Sequence, residues 1–184
     1  MKRSARSMAS IAKGKDLNPN TQYRVELLKE QLTFSAAHFI TFGSNICERL
    51  HGHNYGVRCS VVGSLNEHGY VVDFIALRDQ LAGIAGELDH RVLLPEFHPT
   101  IKVTSGDEEV EATFENRRWV FPAEDCVILP IANTTAELIA KHFTERLMLD
   151  REAWCHAGVS AVTVGIDENQ GQWGECLLEL PPKT

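Results

Sequence analysis

No run of apolar residues in this sequence approaches the roughly 20 needed to cross a bilayer as a helix, so a membrane-spanning protein is not expected. Cys-x-x-Cys is also missing. The five cysteines, at positions 47, 59, 126, 155 and 176, are odd in number and widely spaced, which argues against a disulfide framework and for a reducing compartment, the cytoplasm. Positive charge is in deficit, with 18 Lys and Arg against 25 Asp and Glu and a formal net charge of −7. General binding to nucleic acid or to an anionic membrane needs a clustered positive field and is not expected, so an anionic substrate has to be met by a local basic pocket. Internal repeats, heptads and low-complexity tracts are absent. The one basic cluster, Lys2, Arg3, Arg6, Lys13 and Lys15, lacks the apolar core of a secretory signal. Residues 1–22 are read as a disordered basic tail rather than a transit peptide, and 23–184 as one domain, since 43% hydrophobic content over this length suits a single core.

What is present is concentrated in Cys47-Glu-Arg-Leu-His51-Gly-His53-Asn-Tyr55, which gathers a thiol, a carboxylate and two imidazoles. On a strand, the period of two turns His51 and His53 to one face. Phe34-Ser-Ala-Ala-His38 ends another alternating stretch, and a strand pair joined by the loop 41–50 would bring His38 opposite them. Three neutral histidines with one open position is the arrangement of a catalytic zinc. The competing reading is a pair of surface or hydrogen-bonded histidines, and the residues alone leave both open.

Along the chain, 23–40 reads as a strand anchored by Val25, Leu27, Leu32 and Phe34, with a bulge around 29–31 where the alternation slips. Residues 55–62 read as a second strand and 70–72 as a short third one after the turn chemistry of 63–69. Asp73 is an N-cap for an amphipathic helix over 74–87. Residues 97–126 carry β-prone segments separated by turns at 105–107 and 115–117 and are read as an inserted β-hairpin or small subsheet. Thr134 and Glu137 have capping-box spacing ahead of a helix running to about Leu149, and two strands at 159–166 and 176–180 close the chain. This order gives an α+β sandwich with both helices on one sheet face. His68, His98, His142 and His156 are read as surface histidines.

These motifs resemble the 6-pyruvoyltetrahydropterin synthase and 6-carboxytetrahydropterin synthase family: Phe34-Ser-Ala-Ala-His38, Cys47-x-x-x-His51-Gly-His53-Asn-Tyr55, Val72-Asp73-Phe74, Leu88-Asp89-His90, Asn133-Thr-Thr-Ala-Glu137 and a late Glu168 occur in the family's order. The resemblance covers residues 25–180 except 97–126. It implies a tunnelling fold (T-fold), an antiparallel four-stranded sheet with two helices on one face, oligomerising into a β-barrel, as a homohexamer with active sites at subunit interfaces. It further implies Zn2+ bound by His38, His51 and His53, with Cys47 as general base. Asp89 and His90 would form a relay contributed by a neighbouring subunit, and Glu168 and Thr135 would hold the pterin ring.

The activity implied is that of a zinc-dependent lyase converting 7,8-dihydroneopterin triphosphate to 6-carboxy-5,6,7,8-tetrahydropterin on the queuosine route, or to 6-pyruvoyltetrahydropterin. The three residues between Cys47 and His51 resemble the bacterial carboxy enzymes. Glu48 is a departure, because family members with a glutamate there cleave the side chain to 6-hydroxymethyl-7,8-dihydropterin for folate synthesis. Other roles stay open: Glu48 as a solvated loop carboxylate, Thr135 as a helix cap, Asp89-His90 as a helix-end pair, or the whole chain as a non-catalytic zinc-binding assembly protein. Arg24, Lys29 and Arg58 are candidates for receiving the triphosphate.

Overall fold

A computed structural model of the chain describes residues 21–43 and 46–181, so residues 1–20 of the basic tail lie outside the described residues. The chain opens with β1 (Tyr23–His38), and a short ribbon of β2 (Thr41–Phe42) and β3 (Ile46–Cys47) leads into β4 (His51–Gly63). Next come α1 (Phe74–Leu88), β5 (Arg91–Pro95), β6 (Lys102–Ser105), β7 (Glu109–Phe114), β8 (Arg117–Pro122) and β9 (Cys126–Leu129). The last elements are α2 (Ala136–Leu147), a short α3 (Arg151–His156), β10 (Val159–Asn169) and β11 (Gln172–Glu179).

Alternation along β4 drives the fold. Tyr55, Val57, Cys59 and Val61 are buried, while the residues between them point to the other, more open face. β1 pairs with β4 antiparallel, and its expected bulge is present: Leu28 faces Arg58 and Thr33 faces Gly56, so five steps along β1 match two along β4. On the buried face Phe34 stacks between Tyr55 at 4.8 Å and Phe143 of α2 at 5.9 Å. α1 packs on β1 through Leu77, Leu81, Ile84 and Leu88, starting where the Asp73 carboxylate accepts from the N–H groups of Ile75 and Ala76. Each fully buried leucine of this kind contributes roughly 1.5–3 kcal/mol.

Among the described residues the main sheet has six strands, not the expected four, in the order β11-β10-β4-β1-β5-β9. The first four are antiparallel neighbours, and β5 and β9 extend the sheet parallel to β1, making it mixed. His90 explains the addition: at a left-handed φ of 58° it turns the chain after α1, and its N–H donates to Ser35 O at 2.6 Å, laying β5 beside β1. The insert is a three-stranded antiparallel meander, β6-β7-β8, rather than a hairpin. Its inner face, with Val110, Ala112 and Phe114, closes a second core over Phe39, Cys47, Leu94 and Ile101.

Other expectations are corrected. Residues 70–72 form no strand, because the Asn66 side chain accepts from the N–H groups of His68 and Tyr70 and holds that segment in a turn. The capping box does not form either, since α2 is capped at Thr135 without a side-chain bond, and the Thr134 hydroxyl donates to Phe39 O instead. His98 and His142 are buried rather than on the surface.

Candidate metal centre

The β1–β4 register places His38 directly opposite His51, and His53 opposite Ala36. All three imidazoles project from the core-facing side, at the end of the sheet nearest the start of α2. Their rings stand 4.7 to 5.2 Å apart, and one nitrogen from each lies within 4.8 Å of the other two. An ion with bonds of about 2.0–2.1 Å in a tetrahedron holds its nitrogens ~3.4 Å apart, so ring rotation by about an ångström brings the three onto one metal.

Hydrogen bonding sets the ligand atoms. His38 Nδ1 meets the Thr134 carbonyl at 2.8 Å and His51 Nδ1 meets the Arg49 carbonyl at 2.8 Å. A carbonyl only accepts, so each Nδ1 carries the proton and each Nε2 presents a lone pair. Backbone carbonyls orienting histidines in this way are the usual outer shell of a metal site. Burial lowers the His38 pKa from 6.5 to about 4, offset by the Thr134 bond and reinforced by His51 and His53, so the ring is neutral near pH 7.

A second observation supports a cation here. Glu168 Oε1 lies 3.3 Å from His38 Nε2, yet that nitrogen is buried without a hydrogen bond. With the imidazole proton on Nδ1, the contact sets two electron-rich atoms against each other, an arrangement that a cation between them relieves. Burial also pushes the Glu168 carboxyl above its ordinary range, with His53 pulling the other way. The three imidazoles and the orphaned His38 Nε2 thus fit a metal ion.

The remaining candidates divide. Glu48 reaches toward the cluster, its Oε2 3.9 Å from His51 Nε2. Cys47, its neighbour, is only 5% exposed and belongs to the second core under the insert. Burial raises its thiol above the ordinary value, partly countered by Arg117, the cation beside the thiol. The Thr135 side chain makes no capping bond. Asp89 and His90 pair at 2.9 Å, and Asp89 also accepts from Ser35 N–H at 2.8 Å. They flank the β5 side of β1, whereas the histidines straddle β1 and β4. An open cleft of about 560 Å³ lies between Ser35, Gly52, His53, Asn54, His90 and Asp125. Arg58 is engaged by Glu175 at 2.9 Å and stacked over Trp173 at 4.0 Å.

Three further residues shape the site, of which the sequence offered Thr134 only as a helix cap. The Thr134 carbonyl orients His38, and Arg117 donates to the carbonyls of Cys47 and Glu48 at 2.8 and 3.2 Å. Tyr55 shares the face of His51 and His53, and its hydroxyl is buried with no hydrogen-bond partner among the described residues. Alternation already pointed to Tyr55, but nothing local in the sequence marks the other two.

A family model described as 6-pyruvoyl tetrahydropterin synthase matches residues 27–178. The chain belongs to that family. A putative 6-carboxy-5,6,7,8-tetrahydropterin synthase of Methanocaldococcus jannaschii is 33% identical over 146 residues, covering 79% of this chain and 88% of the relative. The crystal structure of the 6-pyruvoyl tetrahydropterin synthase of Plasmodium vivax superposes with a TM-score of 0.82 at 27% identity, covering 88% of this chain and all of that one. A variant of the P. vivax enzyme, in which a glutamate described as a catalytic residue is replaced by alanine, gives a TM-score of 0.81 at 26% identity over the same shares. In this member of the pterin synthase family, the histidine cluster lies between β1 and β4, in the first part of the matched region.

Proposed function

We propose that this chain is a zinc-dependent lyase that converts 7,8-dihydroneopterin triphosphate to 6-carboxy-5,6,7,8-tetrahydropterin in the cytoplasm. The observation that carries the reading is the cluster of His38, His51 and His53, with lone-pair Nε2 atoms on two rings fixed by backbone carbonyls. These three residues would hold zinc, which when bound supplies Lewis-acid polarisation of the substrate's side-chain oxygens. The product is the one in the name of the putative M. jannaschii relative; triphosphate and acetaldehyde would leave with it, one water being consumed. 6-Pyruvoyltetrahydropterin is the variant in which the side chain keeps its three carbons.

Glu168 lies beside the cluster with 26% of its side chain exposed, and in this reading it accepts two hydrogen bonds from the amino group and ring N–H of a pterin, as a carboxylate does from a guanidinium fork. The uncommitted Thr135 side chain at the start of α2 would hold the same ring. Cys47 is the base this reading assigns to moving protons on the side-chain carbons. Asp89 and His90, paired with each other on the β5 side of β1, would complete the site of a neighbouring copy in a homohexamer closed through its sheets.

A second reading is favoured by one specific observation: Glu48, not Cys47, faces the histidines. Glu48 then serves as acid and base, and the product is 6-hydroxymethyl-7,8-dihydropterin for folate synthesis. That a glutamate is described as a catalytic residue of the P. vivax 6-pyruvoyltetrahydropterin synthase supports a catalytic role for a glutamate in this fold. Chromatography after incubation of zinc-loaded protein with 7,8-dihydroneopterin triphosphate decides between them. 6-Carboxytetrahydropterin supports the first and 6-hydroxymethyldihydropterin the second; no turnover at all overturns both.

A further inference from the structure

The β2–β3 ribbon carries Cys47 at its end and Glu48 just beyond, and residues of the insert hold much of it in place. His98 Nδ1 accepts from the N–H groups of Thr100 and Ile101, so its proton sits on Nε2, which donates to the Thr41 hydroxyl at 2.8 Å. Arg117 spans the other strand, one guanidinium nitrogen donating to both the Cys47 and the Glu48 carbonyls. Trp119 of β8 stacks on Phe39 at 4.5 Å, and Val110, Ala112 and Phe114 close over the same core as the thiol. Arg117 follows a two-residue turn in which Glu115 adopts a φ of 52°, a conformation rare for any residue but glycine. The turn ends the β7–β8 hairpin where Arg117 meets the ribbon.

Neighbouring side chains on an extended segment point to opposite sides. When the Cys47 side chain is sealed into the insert's core, the Glu48 side chain is directed toward the histidines. We infer that Arg117 is a specificity-determining positioning residue: with the β6–β8 meander it clamps the Cys47–Glu48 segment so that only Glu48 faces the metal cluster, and its loss frees Cys47 to reach that site. This rests on the second reading above, in which Glu48 rather than Cys47 acts, and takes it in place of the first for the wild-type protein. The clamped protein favours 6-hydroxymethyldihydropterin, and the released one gains the 6-carboxytetrahydropterin branch.

Site-resolved alkylation with iodoacetamide, followed by mass spectrometry, tests the clamp on zinc-loaded full-length protein without reference to activity. In the wild type Cys47 should react at least ten-fold more slowly than the half-buried Cys155. Arg117→Ala should raise the Cys47 rate at least ten-fold with Cys59 in the main core unchanged, and Arg117→Lys, which keeps one donor, should fall between. Arg117→Ala should also shift the product ratio from 7,8-dihydroneopterin triphosphate toward 6-carboxytetrahydropterin. Equal rates at Cys47 and Cys155 in the wild type, or no change at Cys47 in Arg117→Ala, overturn the clamp. A parallel rise at Cys59 would mean that the variant loosened the whole fold, and the wild-type ratio then decides. An unchanged product ratio with a freely labelled Cys47 overturns the specificity claim. No turnover by any form, with the labelling pattern as expected, leaves the clamp standing and overturns the functional reading instead.

Discussion

Acid should destabilise the metal-free protein through His38. This side chain is fully buried, and burial holds its pKa at about 4, well below the ordinary 6.5 of histidine. A base whose pKa is lower in the folded state is protonated first in the unfolded chain. Stability is therefore intact above about pH 6.5, falls as the pH drops through the window from 6.5 to 4, and levels off below it. The gap between the two pKa values corresponds to about 3 kcal/mol at ~1.4 kcal/mol per pH unit, and about 2.5 kcal/mol of it is lost by pH 4.5. The assay is urea denaturation of chelator-treated wild type and His38→Gln at pH 7.5 and pH 4.5. Taking the difference between the proteins cancels the titration of groups they share, including His98 and His142, whose pKa values burial also lowers. On acidification the wild type should lose about 2.5 kcal/mol more than the variant. Parallel losses would refute the claim that His38 is buried as a neutral ring. Zinc should raise wild-type stability at pH 7.5 far more than at pH 4.5, because the metal takes only unprotonated imidazoles.

Chelation near neutral pH should lower the melting temperature and abolish turnover, with zinc restoring both; an unchanged melting temperature counts against a metal on the three histidines. Glu168→Ala should raise KM for the pterin substrate at least ten-fold with a smaller effect on kcat, as steady-state kinetics will show. Phe34→Ala removes a ring packed between Tyr55 and Phe143 and should cost about 3–5 kcal/mol in urea unfolding. Glu115→Gly relieves the left-handed turn before Arg117 and should stabilise the protein by about 1 kcal/mol, measured the same way.

The histidine cluster was legible in the sequence because it rests on local periodicity and one pairing. Alternation sets His51, His53 and Tyr55 on one face of β4, and an antiparallel partner ending in His38 completes the group. The Asp73 cap, the apolar stripe of α1 and the bulge in β1 were equally local. The tertiary structure decided the rest. β5 and β9 are four or five residues long, too short for a periodic signal, and join the sheet because a left-handed His90 delivers them there. Thr134 was claimed by Phe39 and His38 instead of by its own helix, which capping spacing cannot foresee. The choice between Cys47 and Glu48 lies furthest from local reading. Adjacent residues differ only in which way they point, and that direction is fixed by Arg117 and an apolar meander some seventy residues away in the chain. Backbone period determines which residues share a face, whereas what covers each face depends on contacts between distant segments.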